Sequence, residues 1–374
     1  MSQISQQRVL VTGGTGFTGS YLVRRLLERG HQVVVVDNQK GIFDEELARM
    51  GAELHIGSVT DKDLMNQLVK GCEVVHHVAA AFRRVDLPKD VYWDVNVNGT
   101  RYLLEAAEQH GVRKFVYCST CGVHGNVSNP PTTEDGPIAP ADYYQYTKYE
   151  GEKVAHEYIR RGLDVTILRP AAIYGPGDPE RWLMLFRRVS PGWFLMFGNG
   201  KATYHPLYID NLTDAFELAA EKEQSRGQTY LIADEYYYNL NDLVTSVSRV
   251  LGIDVRVFRV PFWPLWTAAA TVELGSNLLN VSPPLFRRRV DWFRQSRAFD
   301  IGKAKRELGY QPKVGLAEGL YRTAQWYIQE GLIKVDQPLP RLNTIQVPQG
   351  FYSDVHGAPA DAKPFDQVAL SREL

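Results

Sequence analysis

Six short, strongly apolar runs separated by longer stretches of helical periodicity constrain the fold of this chain more than any other feature. The runs are rich in β-branched residues and occupy positions 8–13, 32–37, 52–57, 73–78, 114–118 and 164–169. Strands that are apolar along nearly their whole length indicate a parallel sheet covered by helices on both faces. The sequence therefore predicts a doubly wound α/β fold.

A glycine-rich turn, "VTGGTGFTGSYLVRRLLERG", follows the first run and opens a helical pattern. Gly13, Gly16 and Gly19 are spaced so that backbone can approach a pyrophosphate and the helix can pack closely on the strand. The helix N-terminus adds free N–H groups and a positive dipole end. Asp37 ends the second run, where a carboxylate accepts both ribose hydroxyls and repels a 2′-phosphate. NAD is the predicted cofactor, in preference to NADP, with Lys40 as a contrary sign.

The domain organisation follows from where this alternation weakens. We predict an NAD-binding domain over 1–175 and a smaller, mostly helical substrate-binding part over 176–334 that is interleaved with the last strands of the sheet. From 335 to 374 the chain is polar and rich in proline, which predicts a tail that wraps the body or stays loose.

Two tyrosine–lysine pairs occur at helical spacing in "ADYYQYTKYEGEK": Tyr144 with Lys148, and Tyr149 with Lys153. At about 100° per residue, Tyr144 shares its face with small and apolar residues, whereas Tyr149 shares its face with a solvated set. A buried lysine beside a phenol favours the phenolate and can also hold nicotinamide ribose hydroxyls. Tyr144 is therefore the predicted acid/base of a hydride transfer, and a purely structural helix pair is the alternative.

Two hydroxyl residues, Ser119 and Thr120, follow the run at 114–118. They should lie at the carboxyl edge of the sheet, where ligands bind, and one hydroxyl should donate to the reacting oxygen. The alternative is a residue that caps a turn. Cys121 is expected near the cleft, with its labelling by thiol reagents partly protected by NAD. Cys118 and Cys121 form an isolated C-x-x-C, which argues against a metal site, and no metal is predicted.

Composition bounds the partners and the compartment. A net charge of −1 gives no general attraction to nucleic acid, and the basic run at 286–290 is interpreted as a solvated face. Three cysteines and a strand pattern that begins at once fit a cytoplasmic protein without a signal peptide. The uncharged run at 260–272 is shorter than the roughly 20 residues a spanning helix needs. It is interpreted as a buried helix; the alternatives are a segment that contacts a membrane surface or one that lines a hydrophobic pocket.

Together these motifs resemble the extended short-chain dehydrogenase/reductase superfamily over residues 7 to 332. The resemblance also rests on "HHVAA" (76–80), "NVNGT" (96–100), "YCSTCGVHG" (117–125), "LRPAAIYGPGD" (168–178), "GNGKATYHPLYIDNL" (198–212) and "FDIGKAKRELGYQPKVGLAEGL" (299–320). It implies a Rossmann domain that binds NAD, an enzyme acting on a CH–OH group of a small molecule, and a homodimer.

The resemblance also implies a role for each matching position. Thr120, Tyr144 and Lys148 would be catalytic, and His124 stands where the superfamily usually has a tyrosine. Ser58 and Val59 would flank the adenine. The implied cofactor-binding positions are Gly13, Gly16, Phe17, Thr18, Gly19, Asp37, Ser58, Val59, Ala79, Ala80, Asn96, Ser119, Tyr144, Lys148, Pro170 and Ile173.

The first of two possible reactions resembles that of nucleotide-sugar epimerases, and we prefer it. Thr120 is followed by Cys121 rather than by the acidic residue of a dehydratase, which favours epimerisation over dehydration. Arg181, Arg187 and Arg188 would supply contacts to the diphosphate.

The second resembles oxidation of a lipid alcohol by 3β-hydroxysteroid and sterol-carboxylate dehydrogenases. Tyr204 lies near the place where sugar-nucleotide enzymes usually carry an arginine that binds the diphosphate, and the apolar segment at 260–272 suits a hydrophobic substrate. A regulatory protein that binds NAD without turnover is a third alternative, against which the set of Thr120, Tyr144 and Lys148 argues.

Overall fold

The computed structural model describes residues 6–82, 87–178, 181–278, 293–354 and 357. The basic run at 286–290 therefore lies outside the described residues. All six predicted strands form, and helices alternate with them. In chain order the elements are β1 (Arg8–Thr12), α1 (Phe17–Glu28), β2 (Gln32–Asp37), α2 (Asp44–Arg49), β3 (Glu53–Ile56), α3 (Lys62–Val69), β4 (Val74–His77), α4 (Lys89–Trp93), α5 (Gly99–Gln109), β5 (Lys114–Cys118), α6 (Tyr143–Arg160) and β6 (Val165–Pro170).

Two irregular turns interrupt this alternation where the site will lie. A π-helical turn, Asp94–Asn98, joins α4 to α5, and a 3-10 turn, Cys121–His124, follows β5. π-Helical turns within longer helical segments, such as Asp94–Asn98, are frequent at functional sites.

The second half of the chain has shorter strands and more helix. Its elements are β7 (Ala172–Tyr174), α7 (Arg181–Val189), β8 (Trp193–Phe197), β9 (Thr203–Tyr204), β10 (Pro206–Tyr208), α8 (Ile209–Glu221), β11 (Thr229–Ile232), β12 (Tyr236–Asn239), α9 (Leu240–Leu251), β13 (Arg256–Val260), α10 (Phe262–Leu278), α11 (Gly302–Leu308), α12 (Leu316–Gln329) and β14 (Phe351–Tyr352).

Seven parallel strands form the central sheet in the order β11-β6-β5-β4-β1-β2-β3. The order reverses beside β1, where Val11 pairs with Val35 of β2 on one side and His76 of β4 on the other. Ligands of such sheets bind outside the carboxyl ends of the strands at this reversal. The doubly wound fold is confirmed, and it places the candidate site beyond β1 and β4.

Burial on both faces explains why the strand runs are continuously apolar. Val9 and Val11 of β1 pack with α1 and α8 in one layer, whereas Leu10 packs with α3, α5 and α6 in the other. Because side chains alternate across a strand, a sheet covered on both sides needs an apolar residue at every position.

The second half builds its own core and also returns to the sheet. Buried side chains of α7, α9 and α12 form one hydrophobic cluster, while β11 adds the seventh strand beside β6. The described part of the predicted tail packs on the body: β14 pairs with β12, and the buried Ser353 donates to the carbonyl of Glu235 at 2.7 Å.

Helix α10 differs from the interpretation as a buried helix. Its Trp263 is 70% exposed, although Phe262 and Leu265 pack against the core of the second half. No helix in the described ranges is long and apolar enough to cross a membrane.

Candidate active site

The turn between β1 and α1 leaves bare backbone at the reversal of the sheet. Gly13 has φ 69°, and a Cβ on it would lie 2.7 Å from the amide nitrogen of Ala79. A Cβ on Gly19 would lie 2.0 Å from the carbonyl oxygen of Gly13, so only glycine allows this approach of helix to turn. Gly16 is the N-cap of α1 and provides no side-chain cap, which leaves the first N–H groups, at Phe17 and Thr18, to an anion.

Asp37 is fixed to this turn at the end of β2. Its Oδ2 accepts a hydrogen bond from the backbone N–H of Thr15 at 3.2 Å, and the Thr15 hydroxyl donates to the carbonyl of Gln39 at 2.9 Å. Ser58 and Val59 follow the neighbouring strand β3. The Ser58 hydroxyl lies 2.7 Å from that of Thr60, and Val59 is buried.

Asn96 joins the carboxyl end of β4 to α6. The Ala81 N–H donates to Asn96 Oδ1 at 2.9 Å, and Asn96 Nδ2 donates to the Ala81 carbonyl at 3.2 Å and to Thr147 Oγ1 at 2.9 Å. Thr147 Oγ1 in turn donates to the carbonyl of Tyr144 at 3.0 Å. The buried amide of the π-helical turn therefore binds both Ala81, directly after Ala79 and Ala80, and the helix that carries Tyr144.

A buried histidine that sequence reasoning missed continues this network to the glycine turn. His77 Nε2 lies 3.0 Å from Thr100 Oγ1, which donates to the Asn96 carbonyl, so Nε2 must carry the proton. Its Nδ1 then accepts from Thr12 Oγ1 at 2.8 Å, and Thr12 Oγ1 accepts from the Ala79 N–H at 3.2 Å. Burial, aided by Lys148, holds the pKa of His77 well below its usual range, so the ring is neutral. The motif "HHVAA" (76–80), which contains His77, could have pointed to this residue in the sequence.

Lys148 is 1% exposed, and its ammonium has no hydrogen-bond partner among the described residues. It lies 4.3 Å from the centre of the Tyr117 ring. Burial lowers the pKa of Lys148 to about 8, against the charges of Cys118 and Glu152, which raise it. Tyr144, one turn earlier on α6, is half-buried, with its ring edge against Phe82 at 4.9 Å between centroids.

The second tyrosine–lysine pair is a surface feature. Lys153 forms an ion pair with Glu150 at 2.7 Å and lies 4.9 Å from the Tyr149 ring centre, with half of its side chain exposed. This agrees with the predicted orientation of the two faces of α6.

The two hydroxyls after β5 have different surroundings. Ser119 is buried and donates to Glu152 Oε1, so its proton is taken. Thr120 is half-buried, and its Oγ1 accepts from the N–H of Gly122 at 3.0 Å, which caps the 3-10 turn. That bond uses a lone pair and leaves the Thr120 proton for a ligand at the sheet edge.

A buried ion pair behind Ser119 was also missed. Glu152 is completely buried, and Arg169 meets both of its oxygens, at 3.0 Å and 2.7 Å. Arg169 Nη1 also donates to His124 Nε2 at 3.1 Å, while His124 Nδ1 donates to the carbonyl of Pro137 at 3.1 Å. Burial and Arg169 lower the pKa of His124 to about 4. The position of Glu152, four residues after Lys148 and so on the same inner face of α6, could have pointed to this buried carboxylate in the sequence.

Of the remaining predicted positions, some lie at the same edge of the sheet and others lie away from it. Pro170 ends β6 and Ile173 lies in β7, next along the edge. Cys121 directly follows Thr120, is 2% exposed and donates its thiol to the Arg169 carbonyl at 2.8 Å; its partial protection by NAD from thiol reagents stays a prediction. Tyr204 packs in the core of the second half. Arg187 is exposed and donates to the carbonyl of Leu332 at 3.0 Å.

These features define a dinucleotide-dependent enzyme of the doubly wound class. Residues 9–233 match the NAD dependent epimerase/dehydratase family, to which this chain belongs. The family is NAD-dependent and acts on CH–OH groups, so NAD is the cofactor and this chain is an enzyme of that type. The site fits the cofactor, because the glycine turn leaves room for a pyrophosphate and the orphaned Lys148 ammonium needs an acceptor such as a ribose hydroxyl.

Three relatives illustrate the similarity. N-acetyl-alpha-D-glucosaminyl-diphospho-ditrans,octacis-undecaprenol 4-epimerase of Escherichia coli O157:H7 is 27% identical over 85% of this chain and 94% of its own. Human sterol-4-alpha-carboxylate 3-dehydrogenase, decarboxylating, is 29% identical over 87% and 89%. The structure of UDP-glucose 4-epimerase with UDP-glucose from Thermotoga maritima is 28% identical, with a TM-score of 0.70 over 86% of this chain and 99% of that one.

Among the described residues, no group of three or more His, Cys, Asp or Glu side chains is arranged to hold a metal ion.

Proposed function

We propose that this chain transfers hydride at a secondary alcohol of its substrate, with Tyr144 as the acid/base. The observation that carries the proposal is the buried, unpartnered Lys148 ammonium one helical turn after Tyr144. NAD supplies the hydride acceptor. Tyr144 takes the hydroxyl proton as the alcohol becomes a ketone and returns it when the ketone is reduced.

Lys148 has two tasks in this proposal. Its donors hold ribose hydroxyls of the cofactor, which satisfies the buried ammonium. Its positive charge favours the phenolate of Tyr144 over the phenol. Thr120 donates its remaining proton to the substrate oxygen, while Ser119, bound to Glu152, holds the strand end in place.

Binding of NAD rests on the residues around the reversal of the sheet. The turn of Gly13, Gly16 and Gly19 would hold the pyrophosphate, Asp37 would hold the adenosine ribose, and Ser58 and Val59 would flank the adenine. Ala79 and Ala80 line the middle of the site, and Pro170 and Ile173 border the nicotinamide end. Asp37 provides the preference for NAD over NADP.

We propose a nucleoside-diphosphate sugar as the substrate and epimerisation as the reaction. The relative solved with UDP-glucose supports both parts of this proposal. The Escherichia coli relative supports epimerisation, although the sugar in its name is linked through a diphosphate to undecaprenol rather than to a nucleoside. Epimerisation regenerates the cofactor in each turnover, so NAD remains bound.

A lipid alcohol is the second candidate, and two observations favour it. Arg187, one of the arginines expected at the diphosphate, is bound to the Leu332 carbonyl, and Tyr204 lies buried. The human relative is named as a dehydrogenase of a sterol carboxylate. In this case NADH is released as a net product.

A thermal-shift experiment distinguishes the two candidates. The NAD-loaded protein is heated with UDP, dTDP or GDP, and separately with a 3β-hydroxysteroid, because a ligand that binds only the folded state raises the melting temperature. A rise with one nucleoside diphosphate supports the sugar nucleotide and identifies its base. If only the steroid raises the melting temperature, lipid alcohol oxidation becomes the proposed reaction. If no ligand raises it, both candidates are contradicted.

We further propose a cytoplasmic homodimer that packs through α5 and α6. The three cysteines are free and buried, as in a reducing compartment. The outer side of α6 carries Tyr149 and Arg160, and an ion pair at 3.1 Å joins Glu157 of α6 to Arg101 of α5. A monomer mass in sedimentation at micromolar concentration would contradict the dimer.

A further inference from the structure

An apolar surface lies on β8, β13 and α10, on elements that the candidate active site does not use. Trp193 is 51% exposed, Phe258 55% and Trp263 70%. Leu195 is also exposed. Single exposed apolar residues are ordinary, but a contiguous group of this size marks an interaction site. We call these residues, with the outer face of α10, the β8–β13–α10 surface.

The strand register places the side chains of the surface on one face. Along β8, the exposed Trp193 and Leu195 alternate with the buried Phe194 and Met196. Leu195 pairs with Phe258 in the parallel register, so these two side chains project to the same side. Arg256 pairs with Trp193 and projects to this side as well, whereas Val257 and Arg259 pair with the buried Phe194 and Met196 and project to the other side. The outward face therefore carries three large apolar side chains and one arginine, where a surface sheet would be mostly polar.

Helix α10 continues the apolar character without charge. No Asp, Glu, Lys or Arg occurs between 260 and 272. Its outward residues include Trp263, Thr267 and Thr271, one turn apart. Thr267 Oγ1 donates to the Trp263 carbonyl at 3.1 Å, and Thr271 Oγ1 donates to the Thr267 carbonyl at 2.9 Å. Both hydroxyls are satisfied within the helix, so this face can leave water at little cost.

Positive charge borders the surface. Arg256 and Arg259 are exposed on β13, and the Arg294 guanidinium lies 5.1 Å from the Phe262 ring centre. Arg259 projects to the opposite side of β13, where it donates to the carbonyl of Asn199 and to Asn241 Oδ1, both at 2.9 Å, so Arg256 is the arginine of the outward face. Asp254, two residues before β13, is an exposed carboxylate.

We propose that the β8–β13–α10 surface docks on an anionic lipid bilayer, with α10 in the plane of the interface. Tryptophan side chains favour the headgroup level, and Arg256 beside Trp193 on the same face complements anionic lipid phosphates. A second copy of the chain is the less favourable occupant, because a twofold contact on this face would bury the Arg256 guanidinium of both copies. The proposal holds for either substrate class.

Vesicle co-sedimentation of the full chain tests the proposal. We expect wild type to bind phosphatidylglycerol-containing vesicles, with a blue shift of tryptophan fluorescence, and to bind phosphatidylcholine vesicles weakly. The double variant Phe258→Ser/Trp263→Ser should lose binding by about tenfold or more. Arg256→Glu should lose only the preference for anionic lipid. Ile56→Ser, which removes an exposed isoleucine of β3, is the matched control and should bind as wild type does.

Three results would overturn the proposal. These are no binding of wild type to anionic vesicles, equal binding by wild type and the Phe258→Ser/Trp263→Ser variant, or self-association of wild type that this variant abolishes. NAD affinity, measured on every variant, verifies that the fold is intact, and it is independent of the substrate named above.

Discussion

The Lys148 ammonium lies 4.3 Å from the ring centre of Tyr117 and has no hydrogen-bond partner among the described residues. The ring face partly compensates the charge. Folding therefore buries an ammonium group for which the described residues provide no hydrogen-bond acceptor. Such an arrangement costs stability in the free protein and offers strong donors to a ligand with hydroxyl groups.

Lys148→Met should stabilise the protein without NAD while abolishing turnover. Burial lowers the pKa of Lys148 from 10.5 to about 8, so the unfolded chain holds the proton more tightly. The cost to the folded state, about 3 kcal/mol at 1.36 kcal/mol per pKa unit, is complete below pH 8. It disappears as the pH rises to 10.5. Melting curves at pH 7 and pH 10 measure it, and a variant less stable than wild type at pH 7 would contradict it.

Asn96→Ala should destabilise the protein by about 3 kcal/mol, because three hydrogen bonds are lost and the buried Ala81 N–H is left without its acceptor. It should also lower kcat, because Thr147 and the helix of Tyr144 lose their connection to β4. Asn98→Ala removes a more exposed amide of the same π-helical turn, paired with Asp94 at 2.8 Å, and is the matched control. Urea unfolding of both variants provides the comparison, and equal effects would argue against the role of Asn96.

Glu152→Ala should destabilise the protein by about 3–5 kcal/mol, because it leaves the Arg169 guanidinium buried without its carboxylate. Replacement of both residues by methionine should recover part of that loss, since an apolar pair needs no compensation. Denaturant midpoints at equal m-values measure both effects. A double variant no more stable than Glu152→Ala would show that the ion pair is not the source of the loss.

Asp37→Asn should reduce the ratio of NAD affinity to NADP affinity by about tenfold. The amide oxygen can still accept from the Thr15 N–H, so the turn stays in place while the repulsion of a 2′-phosphate is removed. Fluorescence titration with both cofactors gives the ratio. An unchanged ratio would mean that Asp37 does not contact the ribose.

Local patterns in the sequence predicted the frame of the molecule. The six strands and the glycine turn depend on hydrophobic periodicity and on glycine spacing, both readable within a few residues. Assignment of Tyr144 to the inner face of α6 depended only on helical geometry, and the buried Lys148 beside it agrees.

Contacts between distant elements could not be predicted in the same way. Glu152 meets Arg169 across two elements, and this pair takes the Ser119 proton, which separates the roles of two adjacent hydroxyls. Burial of the Cys121 thiol depends on that same neighbourhood. The run at 260–272 was apolar enough for a buried helix, yet tertiary packing covers only one side of it.

The most direct test of hydride transfer by Tyr144 is the rate of substrate-dependent reduction of enzyme-bound NAD, followed by the near-ultraviolet absorbance of NADH. Tyr144→Phe is compared with Tyr149→Phe, using whichever substrate class raises the melting temperature. The account predicts that Tyr144→Phe slows the reaction by about 10²–10⁴-fold with NAD affinity retained, and that Tyr149→Phe equals wild type. A Tyr144→Phe variant as fast as wild type would contradict it.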